Sequence, residues 1–275
     1  MTNTQTPQDK YITVNGLKLH YLDWGGESPN VVLLVPGIGG NAHNWTPFAR
    51  RICKDYRVLA LEQRGHGDSE HSRDGYAVTS FASDLHDFIT ALRIAPVDYI
   101  ASSLGARTGL VCAAQHPGDF KRFIILDGGP ETPKPFAKHF TSRPYSFPSE
   151  EAATQHFRES TPGYDDDFYR RLAKSMTRKN WVGQLVWKLD PEVAWIPAIA
   201  SEQEASFIWE QLPKITCPVL VIHPEHGDIS SLETAKRIAS LAPRAKLAYV
   251  EGGRHALAQQ RPEEFERLVR HFLQS

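Results

Sequence analysis

The segment Ala101-Ser102-Ser103-Leu104-Gly105 places a hydroxyl directly after a short apolar run, Asp98–Ala101 (DYIA). A nucleophilic serine is often carried on a tight strand-to-helix turn of pattern G-x-S-x-G, where a strained backbone presents its Oγ. Small residues two positions either side let the chain fold back on itself. Ser103 has Ala101 and Gly105 in those places, whereas Ser102 has Ile100 and Leu104. Ser103 is therefore the candidate nucleophile. Small residues follow it (Ala106, Thr108, Gly109, Ala113, Ala114), which allows a helix to pack closely on a sheet.

Acyl transfer also needs N–H donors aimed where an oxyanion develops. Val35-Pro36-Gly37-Ile38-Gly39-Gly40 follows an apolar run and can present them. The backbone N–H groups of Ile38 and Leu104 are the candidates, and the second sits at a helix N-terminus, where the dipole favours negative charge. Pro36 lacks an N–H, but the donor is the residue after the glycine, so nothing is lost. A general base is expected late in the chain. Of the 12 histidines, His255 in Glu251-Gly252-Gly253-Arg254-His255-Ala256 stands after the last apolar run and before the final helix. A carboxylate must then fix its tautomer. Asp228, in His223-Pro224-Glu225-His226-Gly227-Asp228, and Asp127, in Leu126-Asp127-Gly128-Gly129, both give the chain order Ser, Asp, His, with Glu225 a distant third. No His/Cys/Asp cluster has metal-ligand spacing, so the expectation is a site with no metal and no cofactor.

These residues need a scaffold that brings strand ends together. Val31–Val35 (VVLLV), Arg57–Leu61 (RVLAL), Asp98–Ala101, Phe123–Leu126 (FIIL), Val219–Ile222 (VLVI) and Leu247–Val250 (LAYV) are continuous apolar runs. Continuous rather than alternating runs suit strands covered on both faces. Phe81, Leu85, Phe88, Ile89 and Leu92 form one helical stripe between them, and Phe265, Leu268, Val269, Phe272 and Leu273 form another after Pro262. Ser230-x-x-Glu233 reads as a capping box. Asn15-Gly16 between alternating runs predicts a hairpin at the front edge. Alternating strands and helices imply a mostly parallel, doubly wound α/β sheet.

Between about Glu131 and Pro213 the rhythm stops. This stretch has no buried-strand run and carries Trp181, Trp187, Trp195 and Trp209, four of the six tryptophans. It reads as a helical cap over residues 131–213, inserted into a core of residues 11–130 and 214–275, with residues 1–10 a disordered tail. Composition agrees with one such unit: 275 residues, 41% hydrophobic, net charge −1 from 31 basic and 32 acidic residues. A nucleic-acid or anionic-membrane surface would show a basic excess. Cys53, Cys112 and Cys217 are odd in number and far apart, which disfavours a disulfide framework. With no apolar h-region at the start and no apolar run near about 18 residues, a cytoplasmic protein is expected.

Taken in order, VPGIGG, EQRGHGDS, ASSLGA, LDGGP, CPVLVIHPEHGDIS and GGRHA resemble the α/β-hydrolase superfamily, from about Tyr11 to the end. The resemblance implies an eight-stranded core with helices on both faces, a cap after the sixth strand, and a Ser-His-Asp hydrolase. Departures are Ala101 for glycine, Pro36 for histidine, Glu62 for aspartate and Arg254 for the glycine before the histidine. The acid after the penultimate strand is the commoner arrangement in this fold, and Gly227–Ser231 looks like a stretch of a capped bacterial subgroup. Both favour Asp228. Ser103–Arg107 is also similar to the elbow of an amidohydrolase whose acid follows the earlier strand, which keeps Asp127 open. The implied activity is hydrolysis of a small carboxylic ester, or a lactone, thioester or amide. Carbon–carbon bond hydrolysis, cofactor-free oxygen chemistry or a receptor with little turnover are the alternatives. Gly37, Trp181, Trp187 and Arg254 are the expected substrate contacts. The expected partner is a small molecule, with neither nucleic acid nor membrane, and the chain is expected to act as a monomer or homodimer.

Overall fold

The computed structural model describes residues 6–131, 143–161, 163–193, 196 and 202–275. Its first two strands, β1 (Gln8–Val14) and β2 (Leu17–Asp23), pair antiparallel through Asn15 and Gly16. Both turn residues have positive φ (50° and 73°), the geometry whose twist matches the flanking strands. Strand β1 begins at Gln8, so the expected tail of residues 1–10 is too long: Gln8, Asp9 and Lys10 pair with Asp23, Leu22 and Tyr21.

The remaining core strands are β3 (Val31–Val35), β4 (Arg57–Leu61), β5 (Val97–Ser102), β6 (Phe120–Leu126), β10 (Val219–His226) and β11 (Ala245–Arg254). They complete an eight-stranded sheet of order β1-β2-β4-β3-β5-β6-β10-β11. From β4 to β11 every pairing is parallel. The continuous apolar runs have the expected cause. Leu33, Val35, Tyr99, Ala101, Phe123 and Ile125 join one buried cluster, while Val32, Leu34, Ile100, Ile124 and Leu126 join the cluster on the opposite face. Side chains alternate faces along a strand, so a strand covered twice must be apolar at every position.

Helices α2 (Val78–Leu92) and α3 (Ser103–Gln115) cover the first face. Helices α1 (Thr46–Ile52) and α8 (Pro262–Leu273) cover the second, where Phe48 and Phe265 meet edge-on at 4.8 Å. Helix α7 (Leu232–Leu241) is capped by Ser231, whose side chain accepts from the Thr234 N–H. The expected capping box on Ser230 does not form; the cap is Ser231, one residue later. Ser230 binds elsewhere, as described below.

The insertion after β6 is not purely helical. It contains α4 (Glu150–Ser160), α5 (Asp166–Met176) and α6 (Glu202–Gln211), but also a three-stranded antiparallel sheet of β7 (Ser146–Phe147), β9 (Leu185–Trp187) and β8 (Thr177–Lys179). Strands this short leave no hydrophobic run to read. The insertion has its own apolar cluster of Phe147, Ala153, Phe157, Tyr169 and Ala173, with Trp187 against it. It is fastened to the core at Asp190, which accepts from the Tyr76 hydroxyl at 2.5 Å and donates its backbone N–H to Gly65 O. Lys188 pairs with Asp68 at 2.6 Å, and Asn41 Nδ2 donates to Ser175 O. No helix among the described residues is long and apolar enough to cross a membrane.

Candidate active site

Ser103 is the first residue of α3, immediately after β5, and its φ is +46°. A non-glycine residue in the left-handed region carries strain of about 1–3 kcal/mol, which persists only where the surroundings enforce it. Here the enforcement is steric. A β-carbon on Gly105 would lie 2.7 Å from Val35 O and 2.8 Å from Pro36 O, so the first turn of α3 packs directly on the end of β3. A β-carbon on Gly37 would lie 2.8 Å from Ser103 Cβ and 3.4 Å from its Oγ. Ser102, by contrast, has ordinary extended backbone.

The glycine loop above Ser103 is pinned from below. Gln63 Nε2 donates to Pro36 O, and Gln63 Oε1 accepts from Thr108 on α3 at 2.7 Å. Glu62, where the family resemblance implied aspartate, accepts from Ala42 N, Asp68 N and His20 Nδ1 in a buried hub. Sequence reasoning gave neither Glu62 nor Gln63 a part in the site, since all these partners but Asp68 lie 20 to 45 positions away. Arg64 anchors the same turn through two bonds to Asp84, at 2.6 and 2.7 Å.

His255 follows β11 directly and is about a third exposed (32%), whereas the carboxylate it faces is fully buried. That carboxylate is Asp127: His255 Nδ1 lies 2.8 Å from its Oδ2. The expectation of Asp228 as the acid is therefore corrected. Two local features bring Asp127 to the histidine. Its φ of +39° turns the chain out of β6, and Gly227 leaves the space its carboxylate fills, since a β-carbon there would stand 2.8 Å from Cγ and from both oxygens. The other oxygen, Oδ1, accepts from Ser230 N and Ser230 Oγ, each at 3.0 Å. Asp228 is exposed, and its carboxylate, that of Asp127 and a His255 ring nitrogen all lie within 4.8 Å of one another.

The charges in this group are coupled. Burial alone would lower the His255 pKa, but the hydrogen bond and charge of Asp127, followed by the charge of Asp228, raise it above the ordinary imidazole value. Burial alone would raise the Asp127 carboxyl, but His255 and the two Ser230 bonds hold it below the usual carboxylate range. A buried carboxylate needs such partners to remain ionised.

Asp127, Asp228 and His255 form one of two groups among the described residues whose donor atoms come close enough for a metal; His20, Glu62 and Asp68 form the other. Sequence spacing predicted neither. In both, the histidine already bonds a carboxylate: His255 to Asp127, and His20 to Glu62 and Asp9.

A cavity of about 760 Å³ opens above the strand ends. Its floor includes Gly37, Ile38, Ser102 and His255, and its roof includes Phe157, Tyr164 and Trp187 of the insertion. Of the expected substrate contacts, Gly37, Trp187 and Arg254 line it. Trp181 does not. It is 95% exposed at a turn between β8 and β9, where nothing covers it. Trp209 packs against the core, bonded to Glu131 and stacked under Arg237. Trp195 lies outside the described residues. Arg143 and His156 also line the cavity and were missed, because nothing in their spacing sets them apart.

An open α/β sheet with a strained serine at one strand end and a carboxylate-held histidine at another defines a hydrolase-type scaffold. The sequence profile of the alpha/beta hydrolase family matches residues 32–268, and the chain belongs to that family. It is similar to N-formylmaleamate deformylase of Pseudomonas putida, 26% identical over 90% of this chain and 89% of that protein. It is also similar to serine hydrolase BPHL of Mus musculus, 28% identical over 96% of this chain and 85% of the relative. Among solved structures, E-2-(acetamidomethylene)succinate hydrolase superposes with a TM-score of 0.87 at 21% identity, covering 98% of this chain and all of the other.

Proposed function

We propose that the protein is a serine hydrolase of small carboxylic esters, or of a lactone, thioester or amide, acting through Ser103, His255 and Asp127. The observation that carries this reading is His255 held at 2.8 Å by buried Asp127, on the same sheet whose β5 leads into strained Ser103 beneath Gly37. Strands β5 and β6 are direct neighbours, with Ser102 opposite Leu126, so Ser103 and Asp127 leave the sheet side by side. Asp127 holds the Nδ1–H tautomer, which leaves Nε2 free to take a proton.

Ser103 Oγ attacks the substrate carbonyl as its proton passes to His255 Nε2. The tetrahedral oxyanion is received by the N–H groups of Ile38 and Leu104. His255 then gives the proton to the departing alkoxide, leaving an acyl group on Ser103. Water repeats the sequence, with His255 as base, and releases the carboxylic acid. No step requires a metal or cofactor, and the substrate is the only partner invoked. Fluorophosphonate labelling followed by peptide mapping tests the assignment. Label on Ser103, with kcat falling about 10³-fold or more in Ser103→Ala, is the expected result. Label elsewhere, or turnover retained in the variant, overturns it.

A further inference from the structure

The two N–H donors assigned to the oxyanion belong to different segments. Ile38 lies in the glycine loop after β3, and Leu104 lies in the first turn of α3. Both must aim at one oxygen, so the spacing of loop and helix has to be held closely. Contact between Gly105 and the carbonyls of Val35 and Pro36 stops the two walls coming nearer. It does not stop them parting.

The side chain of Gln63 spans both walls. Its Nε2 donates to Pro36 O at 3.4 Å, two residues before Ile38, and its Oε1 accepts from Thr108 Oγ1 at 2.7 Å. Thr108 stands one helical turn beyond Leu104, and its Oγ1 is also 3.1 Å from Leu104 O. Pro36 O can only accept, and the Thr108 hydroxyl has a proton to give. An amide answers both, with a donor at one end and an acceptor at the other. Gln63 is buried, and its origin is fixed between Glu62, the hub described above, and Arg64, bound twice to Asp84. A void of about 10 Å³ lies beside it among Leu19, Val35, Phe81 and Leu85. One side of the amide is therefore loosely packed, and its orientation rests on the two hydrogen bonds. The helix wall has a further tie, since the Tyr99 hydroxyl donates to Gly105 O at 2.8 Å. Loss of Gln63 therefore frees the loop wall more than the helix wall.

Resting on the hydrolase reading, we propose that Gln63 is a positioning residue that sets the spacing of the oxyanion hole. It is not among the described residues lining the substrate cavity, and it acts through Pro36 and Thr108. The oxygen these donors face is charged only in the tetrahedral state. Misplacing the donors therefore lowers kcat and spares KM.

Two ketones separate that state from ground-state binding. An octyl trifluoromethyl ketone reacts as far as a substrate does: Ser103 Oγ bonds to the carbonyl carbon, the π pair moves to oxygen, and the Ser103 proton passes to His255. No group leaves, so the adduct keeps its oxyanion. The matching methyl ketone binds unreacted. Gln63→Leu removes both polar ends at nearly constant size, and Thr108→Val removes one partner. With methyl butyrate followed by pH-stat, Gln63→Leu should lower kcat about 10- to 100-fold, with KM within about threefold of wild type. Its Ki for the trifluoromethyl ketone should rise by about tenfold or more, and its Ki for the methyl ketone should stay within about twofold. Thr108→Val should lose less, and the double variant should match Gln63→Leu rather than multiply the two losses. A kcat within about threefold of wild type, an equal rise in both Ki values, or losses that multiply overturns the proposal.

If Gln63→Leu does not fold, Thr108→Val decides. A lower kcat matched by weaker trifluoromethyl ketone binding, with the methyl ketone unchanged, supports the role; wild-type values for all three overturn it. Fluorophosphonate labelling separates this failure from failure of the hydrolase reading. Wild-type protein without label on Ser103 overturns the hydrolase reading and this role with it. Wild-type protein labelled on Ser103, with Gln63→Leu labelled at the same rate and binding the trifluoromethyl ketone as tightly, overturns the role of Gln63 alone.

Discussion

Asp127→Asn should remove most of the catalysis while leaving the fold. The native carboxylate accepts three bonds, two from Ser230 at Oδ1 and one from His255 Nδ1 at Oδ2. Asparagine offers one oxygen and one NH2. The Ser230 backbone N–H can only donate, so the amide oxygen stays on Ser230 and the NH2 turns toward His255 Nδ1. The opposite orientation sets donor against donor in a buried site, at about 1–3 kcal/mol. With Nδ1 forced to accept, the ring proton moves to Nε2, and His255 cannot take the proton of Ser103. Losing the correct tautomer costs about 10⁴-fold in kcat, or about 5 kcal/mol of barrier. Asp228→Asn should stay within about tenfold, because that carboxylate is exposed and acts on His255 by charge alone.

The pH profile gives an independent reading of the same pair. His255 must be neutral to act as base, and its pKa is raised, so the acid limb of kcat/KM should have its midpoint above about 6.5. Activity falls as pH drops through that value. Asp228→Asn removes one raising influence and should move the limb down; residual Asp127→Asn activity should show a larger downward shift. The stability contributions run in opposite senses. That of Asp127, whose pKa is depressed, is present above the carboxylate range and is lost as pH falls through its folded value. That of His255 is present below the ordinary imidazole value and is lost as pH rises through its raised one. The assay is ester hydrolysis from pH 5 to 9 on each variant, with urea unfolding to show that each is folded. Asp127→Asn within tenfold of wild type, with Asp228→Asn collapsed, would refute the reasoning.

Two further outcomes follow from the geometry. Gly227→Ala should lower kcat about 10²-fold and reduce the melting temperature, because the new methyl stands 2.8 Å from a carboxylate that is buried and has nowhere to retreat; wild-type kinetics would show that Gly227 does not shape the acid's place. Trp187→Ala should change relative kcat/KM across a series of acyl chain lengths, since its ring lines the cavity, while Trp181→Ala, at 95% exposure, should leave both specificity and stability within about 0.5 kcal/mol. Equal effects from the two would remove the distinction between roof and surface.

The sequence by itself determined the sheet and the two residues placed by local rules. VVLLV and RVLAL become β3 and β4 at their predicted ends because a strand covered on both faces must be apolar throughout, a property visible residue by residue. Ser103 was legible for a similar reason: its neighbours Ala101 and Gly105 are what a sharp turn tolerates, and its φ of +46° is a local consequence. His255 was legible from its place between the last strand and the last helix. The acid was not. Asp127 and Asp228 each follow a strand, and their distances along the chain say nothing about which carboxylate reaches the ring. That depended on Gly227 lacking a side chain beside Asp127, and on Ser230 serving Asp127 rather than the cap of α7. The insertion was hardest to read, because strands of two and three residues carry no periodic signal. Whether a tryptophan there faces cavity, core or solvent depends on contacts made by segments far apart in sequence. Only the tertiary structure set Trp187 over the cavity with Arg143 stacked on it and left Trp181 in water.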